Sequence, residues 1–413
     1  MSTDPFRLSR RQLFGSSALA SLGALSVAAT TEGLDPSLAT AAGLNGTIPF
    51  NGTHQAGIAT PPQGYLCLAT FDVGAVAPAT LRSVLNTWSS AALQMSLGKP
   101  IQGTSNPAYP PADTGEALDH GAANLTVTIG YGPSLFRSSL GLAGTAPAAL
   151  RPLPSFSGDQ IDASVSDGDI VIQACADDPQ VAFHAVHTLA RLGLGTMSLR
   201  TIQSGFGRTS VTTSTQATER NLMGFKDGTN NLLADDPASL DRFVWITGSS
   251  PSFMDGGTIM VYRRIRTRLE LWNATSLTDQ QEAVGRFKIS GAPLTGTHEH
   301  DPADFAAQGT HGLPVIPYGA HIRVASAQAN DGVKILRRGY GFTDGIDSAT
   351  GELDAGLVFI CFQRDPISQF AAIQRRLSTS DTMSTYLVHT ATGVFACPRG
   401  LSPGQGWGAQ LYS

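Results

Sequence analysis

The chain reads as an α+β fold made of two related halves with antiparallel sheets. Three observations carry that expectation. Short apolar runs with the period of a strand alternate with longer stretches of helical period, and the order of these elements recurs in the second half. The 45 glycines and 24 prolines supply the turns that many short strands need. At 413 residues there is ample chain for a large core. With a net charge of −5 there is no basic excess to suggest nucleic acid or an anionic membrane surface as partner.

Taken in order, residues 64–73 are apolar enough for a buried strand, and 79–97 have the spacing of an amphipathic helix. Residues 125–129 alternate at period two and predict a half-buried strand. Residues 169–175 predict another. Asp177-Asp178-Pro179 then caps a helix to about Leu192, with acids near its start and proline in its first turn. In the second half, 259–272 predict one long strand, with Ile265, Thr267, Leu269 and Leu271 on one face and Arg266, Arg268 and Glu270 on the other. A helix is expected over 278–286 and a strand over 356–362. Asp365-Pro366 should open a helix to about Leu377, matching Asp177-Asp178-Pro179.

Ahead of the folded part, Ser9-Arg10-Arg11-Gln12-Leu13-Phe14 precedes a weakly apolar stretch over 13–29. A twin-arginine pair in that setting marks the export route for folded proteins. The stretch is too short and too weakly apolar for a lasting membrane span. Ser26-Val27-Ala28 and Ala39-Thr40-Ala41 are both suitable cleavage sites. The expected organisation is export signal and start of linker over 1–41, linker over 42–53, one half over 54–215 and the other over 216–413. The route implies the twin-arginine translocation machinery as partner, an extracellular or periplasmic destination, and a cofactor inserted before export.

Cys67, Cys175, Cys361 and Cys397 are widely spaced, with no C-x-x-C pair, and most sit in apolar runs, so buried thiols are expected. His298-Glu299-His300-Asp301, with Asp304 and His311, has the residue types of a metal site. Its spacing fits no established one, and the surrounding Gly, Thr and Pro favour a solvated loop.

Gly224-Phe225-Lys226-Asp227-Gly228-Thr229-Asn230-Asn231 reads as a tight turn that brings backbone close to a ligand and aims one carboxylate. Pro317-Tyr318-Gly319-Ala320-His321-Ile322-Arg323 and Ile335-Leu336-Arg337-Arg338-Gly339-Tyr340 follow it. Each alone has an ordinary structural explanation. Together and in this order they resemble the dye-decolorising (DyP-type) peroxidase family. The likeness extends to His54-Gln55-Ala56-Gly57, Arg263-Arg264-Ile265-Arg266, Gly285-Arg286, Gly291-Ala292-Pro293-Leu294 and Phe395-Ala396-Cys397-Pro398. The twin-arginine leader suits the exported branch, which includes deferrochelatase/peroxidase proteins.

That resemblance implies duplicated ferredoxin-like halves, of the dimeric α+β barrel type, with haem b in the C-terminal half. It implies hydrogen peroxide as oxidant and organic electron donors, dyes and phenolics among them, as reductants. Release of iron from haem is the competing activity, and assembly into a homo-oligomer is left open. By position, His321 would bind the iron, while Asp227 and Arg337 would handle the peroxide. Gly228, Thr229 and Asn230 would run along the haem. Asp381 is the candidate to hold the histidine's other nitrogen. Related sequences often read Asn-Pro-Arg where this chain has Ser326-Ala327-Gln328. The three residues are expected at the haem, with either Arg323 carrying more of the missing arginine's job or haem binding less tightly. Trp88, Trp245, Trp272 and Trp407 are either core residues or relays that carry oxidising equivalents to the surface.

Overall fold

The computed structural model describes residues 46–103, 106–248 and 251–413. The twin-arginine segment and both cleavage sites lie outside them. The first half runs β1 (Tyr65–Val73), α1 (Pro78–Ser96), β2 (Thr126–Tyr131), β3 (Ile170–Ala176), α2 (Pro179–Leu192) and β4 (Met197–Arg208). This βαββαβ order is that of a ferredoxin-like unit, and the closing strand β4 is one the periodicity did not reveal.

After α3 (Pro237–Phe243), the second half repeats the path. Its parts are β5 (Thr258–Thr267), α4 (Leu269–Ala274), α5 (Leu277–Val284), α6 (His321–Val324), β6 (Leu336–Arg337), β7 (Tyr340–Ile346), β8 (Leu353–Gln363), α7 (Phe370–Ser380) and β9 (Leu387–Cys397). A last helix, α8 (Trp407–Leu411), lies against α1.

Three expectations change. The strand from 259 stops at Thr267, because Leu269 to Ala274 turn into a helix that buries Trp272 and lets its indole donate to Met223 O at 3.0 Å. Asp365-Pro366 opens a turn, and α7 begins only at Phe370. Strand β2 is buried along its whole length, since the first-half helices cover one face and the barrel interior the other.

The strands pair antiparallel in the order β5-β9-β2-β3-β1-β4-β7-β8-β6, and β5 also pairs with β8. Eight strands therefore close into a ring. Within each half the order is the same, β4-β1-β3-β2 in the first and β9-β5-β8-β7 in the second. The halves join through short seams, Tyr131↔Ala396 on one side and Phe206↔Gly341 with Arg208↔Tyr340 on the other. Alternation puts Leu66, Leu68, Met260, Tyr262, Ile360 and Phe395 in one apolar cluster shared by both halves, inside the ring. Outside it, Phe71 and Val73 meet Leu81, Leu85 and Trp88 of α1.

Residues 46–53, expected as linker, lie along the folded body, where Gly52 N and Asn51 Nδ2 donate to Leu401 O. All four tryptophans are buried, and all four cysteines are buried free thiols. Among the described residues no helix is long and apolar enough to cross a membrane.

Candidate functional site

A cavity of about 510 Å³ opens in the second half, between the outer face of β5, β8 and β9 and the helices α6 and α7. His321 stands on one wall, at the first position of α6. Two tethers set its ring. Thr382 N donates to Gly319 O at 2.9 Å, stitching the approach to α6 onto the segment after α7. Asp381 Oδ2, almost fully buried, accepts from His321 Nδ1 at 2.6 Å, while its Oδ1 accepts from Met383 N at 2.9 Å. A carboxylate on Nδ1 makes that nitrogen the donor and leaves the lone pair on Nε2, so the ring can bind a metal through the cavity side. Burial pushes the His321 pKa down, but the charge and hydrogen bond of Asp381 outweigh it and hold the group above its ordinary value.

Asp227 and Arg337 face the same cavity from the turn before α3 and from β6. Arg337 Nη1 donates to Asp227 Oδ1 at 2.9 Å, and Asn221 Nδ2 donates to Oδ2 at 3.3 Å, so each carboxylate oxygen has a partner. Asp227 and Arg337 act electrostatically on His321 with opposite signs, as groups across a shared space do. The turn needs its glycine. At Gly228 φ is +89°, and a Cβ would come within 2.7 Å of Ser210 Cα and 2.8 Å of Thr209 O.

Asn231 was missed by sequence reasoning as a site residue, although it stands in the quoted motif. Its Oδ1 accepts from Arg337 N and its Nδ2 donates to Arg337 O, both at 2.9 Å. That two-point pairing, of the kind adjacent strands make, fixes the backbone of Arg337 against the Asp227 turn.

The structure brings together most of the expected residues. Gly228, Thr229, Asn230, Ser326, Ala327 and Asp381 all line the cavity. Two do not. Gln328 is exposed outside it. Arg323 points away, its Nη2 donating to Phe305 O and Ile316 O at 2.7 Å and its guanidinium lying over the rings of Phe305 and Tyr318. The reason is helical geometry: two residues along α6 from His321 is about 200° around the axis, so both side chains cannot face one space.

The loop of histidines is solvated. His298 and His300 are 85% and 73% exposed, Glu299 is bonded to Lys226 and Thr229, and no metal-holding cluster occurs among the described residues.

The deep wall is mostly apolar, with Ile265, Phe359, Phe370, Ile373 and Leu387. His389 stands among them as a neutral group, since burial and then the charge of Arg263 hold its pKa down near 3. A largely apolar cavity of this volume, lined by one imidazole with a free nitrogen and by a carboxylate–guanidinium pair, suits a flat metal macrocycle.

Comparison with known proteins agrees. A family model described as Dyp-type peroxidase, N-terminal, matches residues 55–207, and one described as Dyp-type peroxidase, C-terminal, matches 218–402. A deferrochelatase from Shigella sonnei is 35% identical over 393 residues, covering 94% of this chain and 92% of the relative. Ferric DtpA from Streptomyces lividans superposes with a TM-score of 0.83 at 36% identity, covering 90% of this chain and 98% of that one. A DyP-type peroxidase from Streptomyces coelicolor gives a TM-score of 0.83 at 37% identity with the same coverage.

Proposed function

The chain belongs to the Dyp-type peroxidase family, and from that premise we propose that His321 would hold the iron of haem b while Asp227 and Arg337 activate hydrogen peroxide in the same cavity. The enzyme is a peroxidase, an oxidoreductase acting on peroxide, and its family binds haem. What supports the residue assignment is that one Asp381-tethered imidazole and one carboxylate–guanidinium pair line the same cavity.

Haem bound there would supply an iron that takes two oxidising equivalents from peroxide and returns them to organic donors one at a time. The protein's part is proton handling and charge. Asp227, as carboxylate, would take a proton from one oxygen of hydrogen peroxide and return it to the other, which departs as water. Arg337 stabilises negative charge on that departing oxygen and stays protonated throughout the working range. Asp381 keeps His321 Nδ1 protonated and so keeps Nε2 basic and aimed. Gly228, Thr229, Asn230, Ser326 and Ala327, which line the same cavity, would help to hold the macrocycle.

Relatives named deferrochelatase favour a second reading, in which iron is freed from haem in the same cavity. The haem-loaded chain, given hydrogen peroxide and a phenolic or dye, should consume the donor and leave the porphyrin–iron complex intact. Intact porphyrin with freed iron and no donor turnover would favour iron release instead.

We further propose twin-arginine export of the folded, loaded protein to an extracellular or periplasmic location, supported by Arg10-Arg11 and the weakly apolar stretch after them. Replacing both arginines with lysine should hold the protein in the cytoplasm. Export unchanged by that replacement would refute the assignment.

A further inference from the structure

Arg338 directly follows β6, and its side chain stays out of the cavity. Successive residues of an extended chain point to opposite faces, so Arg337 reaches the cavity while Leu336 and Arg338 turn into the ring. Arg338 is fully buried there, beside Cys175 and Tyr340 of the apolar interior.

No carboxylate among the described residues lies within 4.0 Å of its guanidinium. Its partners are neutral oxygens of the first half. Nη1 donates to Thr60 O at 2.6 Å, and Nη2 donates to the side-chain oxygen of Gln63. A buried charge without a counter-ion lowers stability, and an apolar side chain would fill this interior at less cost. The guanidinium is suited instead to anchor the chain, through two charge-assisted hydrogen bonds from one rigid fork.

The anchor reaches the distal pair bond by bond. Thr60 O also accepts from Thr212 Oγ1 at 3.2 Å, which ties it to residues 209–212, just after β4. That strip supports both groups proposed to meet peroxide. Thr209 N donates to Gly339 O at 2.9 Å, one residue beyond Arg338. Val211 O accepts at 3.0 Å from Asn231, whose side chain also clasps the backbone of Arg337. Gly228, next to Asp227, rests so closely on Ser210 that a Cβ would not fit.

We infer that Arg338 is a positioning residue for the peroxide step: anchored to Thr60 and Gln63, it fixes Arg337 at its 2.9 Å separation from Asp227. The inference rests on the reading of Arg337 given above, and it gives the first half a share in the chemistry of the second.

The test compares Arg338→Met, Arg338→Lys and Gln63→Leu with wild type, each as the full chain. In the metal-free proteins, amide hydrogen exchange over 226–231 and 335–340 should quicken by roughly tenfold in Arg338→Met, with α1 and α2 unchanged. In the haem-loaded proteins, the second-order rate with hydrogen peroxide should fall by roughly 10- to 100-fold for Arg338→Met, as for a group misplaced by about 1 Å. Arg338→Lys, which keeps the charge without the fork, should fall between, as should Gln63→Leu, which removes one anchor point.

The deciding readout is a double-variant cycle. In an Arg337→Leu background, Arg338→Met (or Gln63→Leu, should the former fail to fold) should add less than about a twofold further loss. A fully additive loss would mean that Arg338 serves the fold alone, and unchanged peroxide rates in the single variants would mean that it positions nothing. Either result overturns the inference while leaving Arg337 in its role. A wild-type rate in Arg337→Leu would overturn the reading of Arg337 itself, and this inference with it.

Discussion

In the first half, Leu81, Leu85 and Trp88 of α1 and Val181, Ala185 and Leu189 of α2 fill the layer above the outer face of the sheet. In the second half the same layer, over β5, β8 and β9 and under α6 and α7, holds a cavity of about 510 Å³. The path of the chain is shared and the filling is not. The first half packs large apolar side chains where the second presents Arg263, Thr267, Gln374 and His389 to an open space. A duplicated fold can therefore keep one copy as solid support and open the other as a site, because closure of the ring fastens the two sheets together.

If the second half is the chemical one, the largest effect should follow from the carboxylate over the cavity. Asp227→Asn should lower kcat/KM for hydrogen peroxide by roughly 10²- to 10⁴-fold in stopped-flow assays, with an unchanged thermal midpoint. A loss smaller than about tenfold would remove Asp227 from proton transfer.

The packing contrast itself is sharpened by two truncations. Trp88→Ala leaves a void in the filled layer and should cost about 3–5 kcal/mol in urea unfolding. Leu387→Ala only widens an existing space and should cost below about 1.5 kcal/mol, since little new void forms. Equal costs would mean that the two layers are packed alike.

Asp381→Asn tests the tether on the imidazole. Hemin affinity should fall by roughly 10- to 100-fold while the fold persists, as for other residues that orient a metal ligand. Unchanged affinity would reduce Asp381 to a helix cap.

The smallest effect belongs to the first half, at Glu116. Burial raises its pKa, but bonds with Thr114, His184 and His187 outweigh that and bring it from 4.5 to about 2. A carboxylate depressed in the folded state adds stability above its unfolded pKa and loses it as pH falls, here between 4.5 and about 2. Glu116→Gln should cost about 1 kcal/mol at neutral pH, discounted for partial exposure. The difference from wild type should vanish near pH 2 in acid unfolding. A cost independent of pH would contradict the linkage.

Much of this was legible in the sequence. Asp227, His321 and Arg337 stand in short motifs whose order carried the family likeness, and the caps and apolar runs located most of the elements. What failed to show did so for physical reasons. Strand β4 is largely exposed, with Leu199, Ile202 and Phe206 facing outward, so no apolar alternation marks it. Strand β9 is broken up by Thr390, Thr392 and Gly393, which neighbouring strands accommodate. Arg323 was drawn to the site by its nearness in sequence to His321, and the helix turns it away.

The account turns on His321, and its most direct test is a spectrophotometric titration of the metal-free chain with hemin, wild type beside His321→Ala. Wild type should form a one-to-one complex with a sharp Soret band. The alanine variant, folded to the same degree, should lose that band and bind more weakly by more than the roughly 100-fold that loss of an orienting partner costs. Identical spectra and affinities for the two proteins would contradict the assignment of the iron to this imidazole.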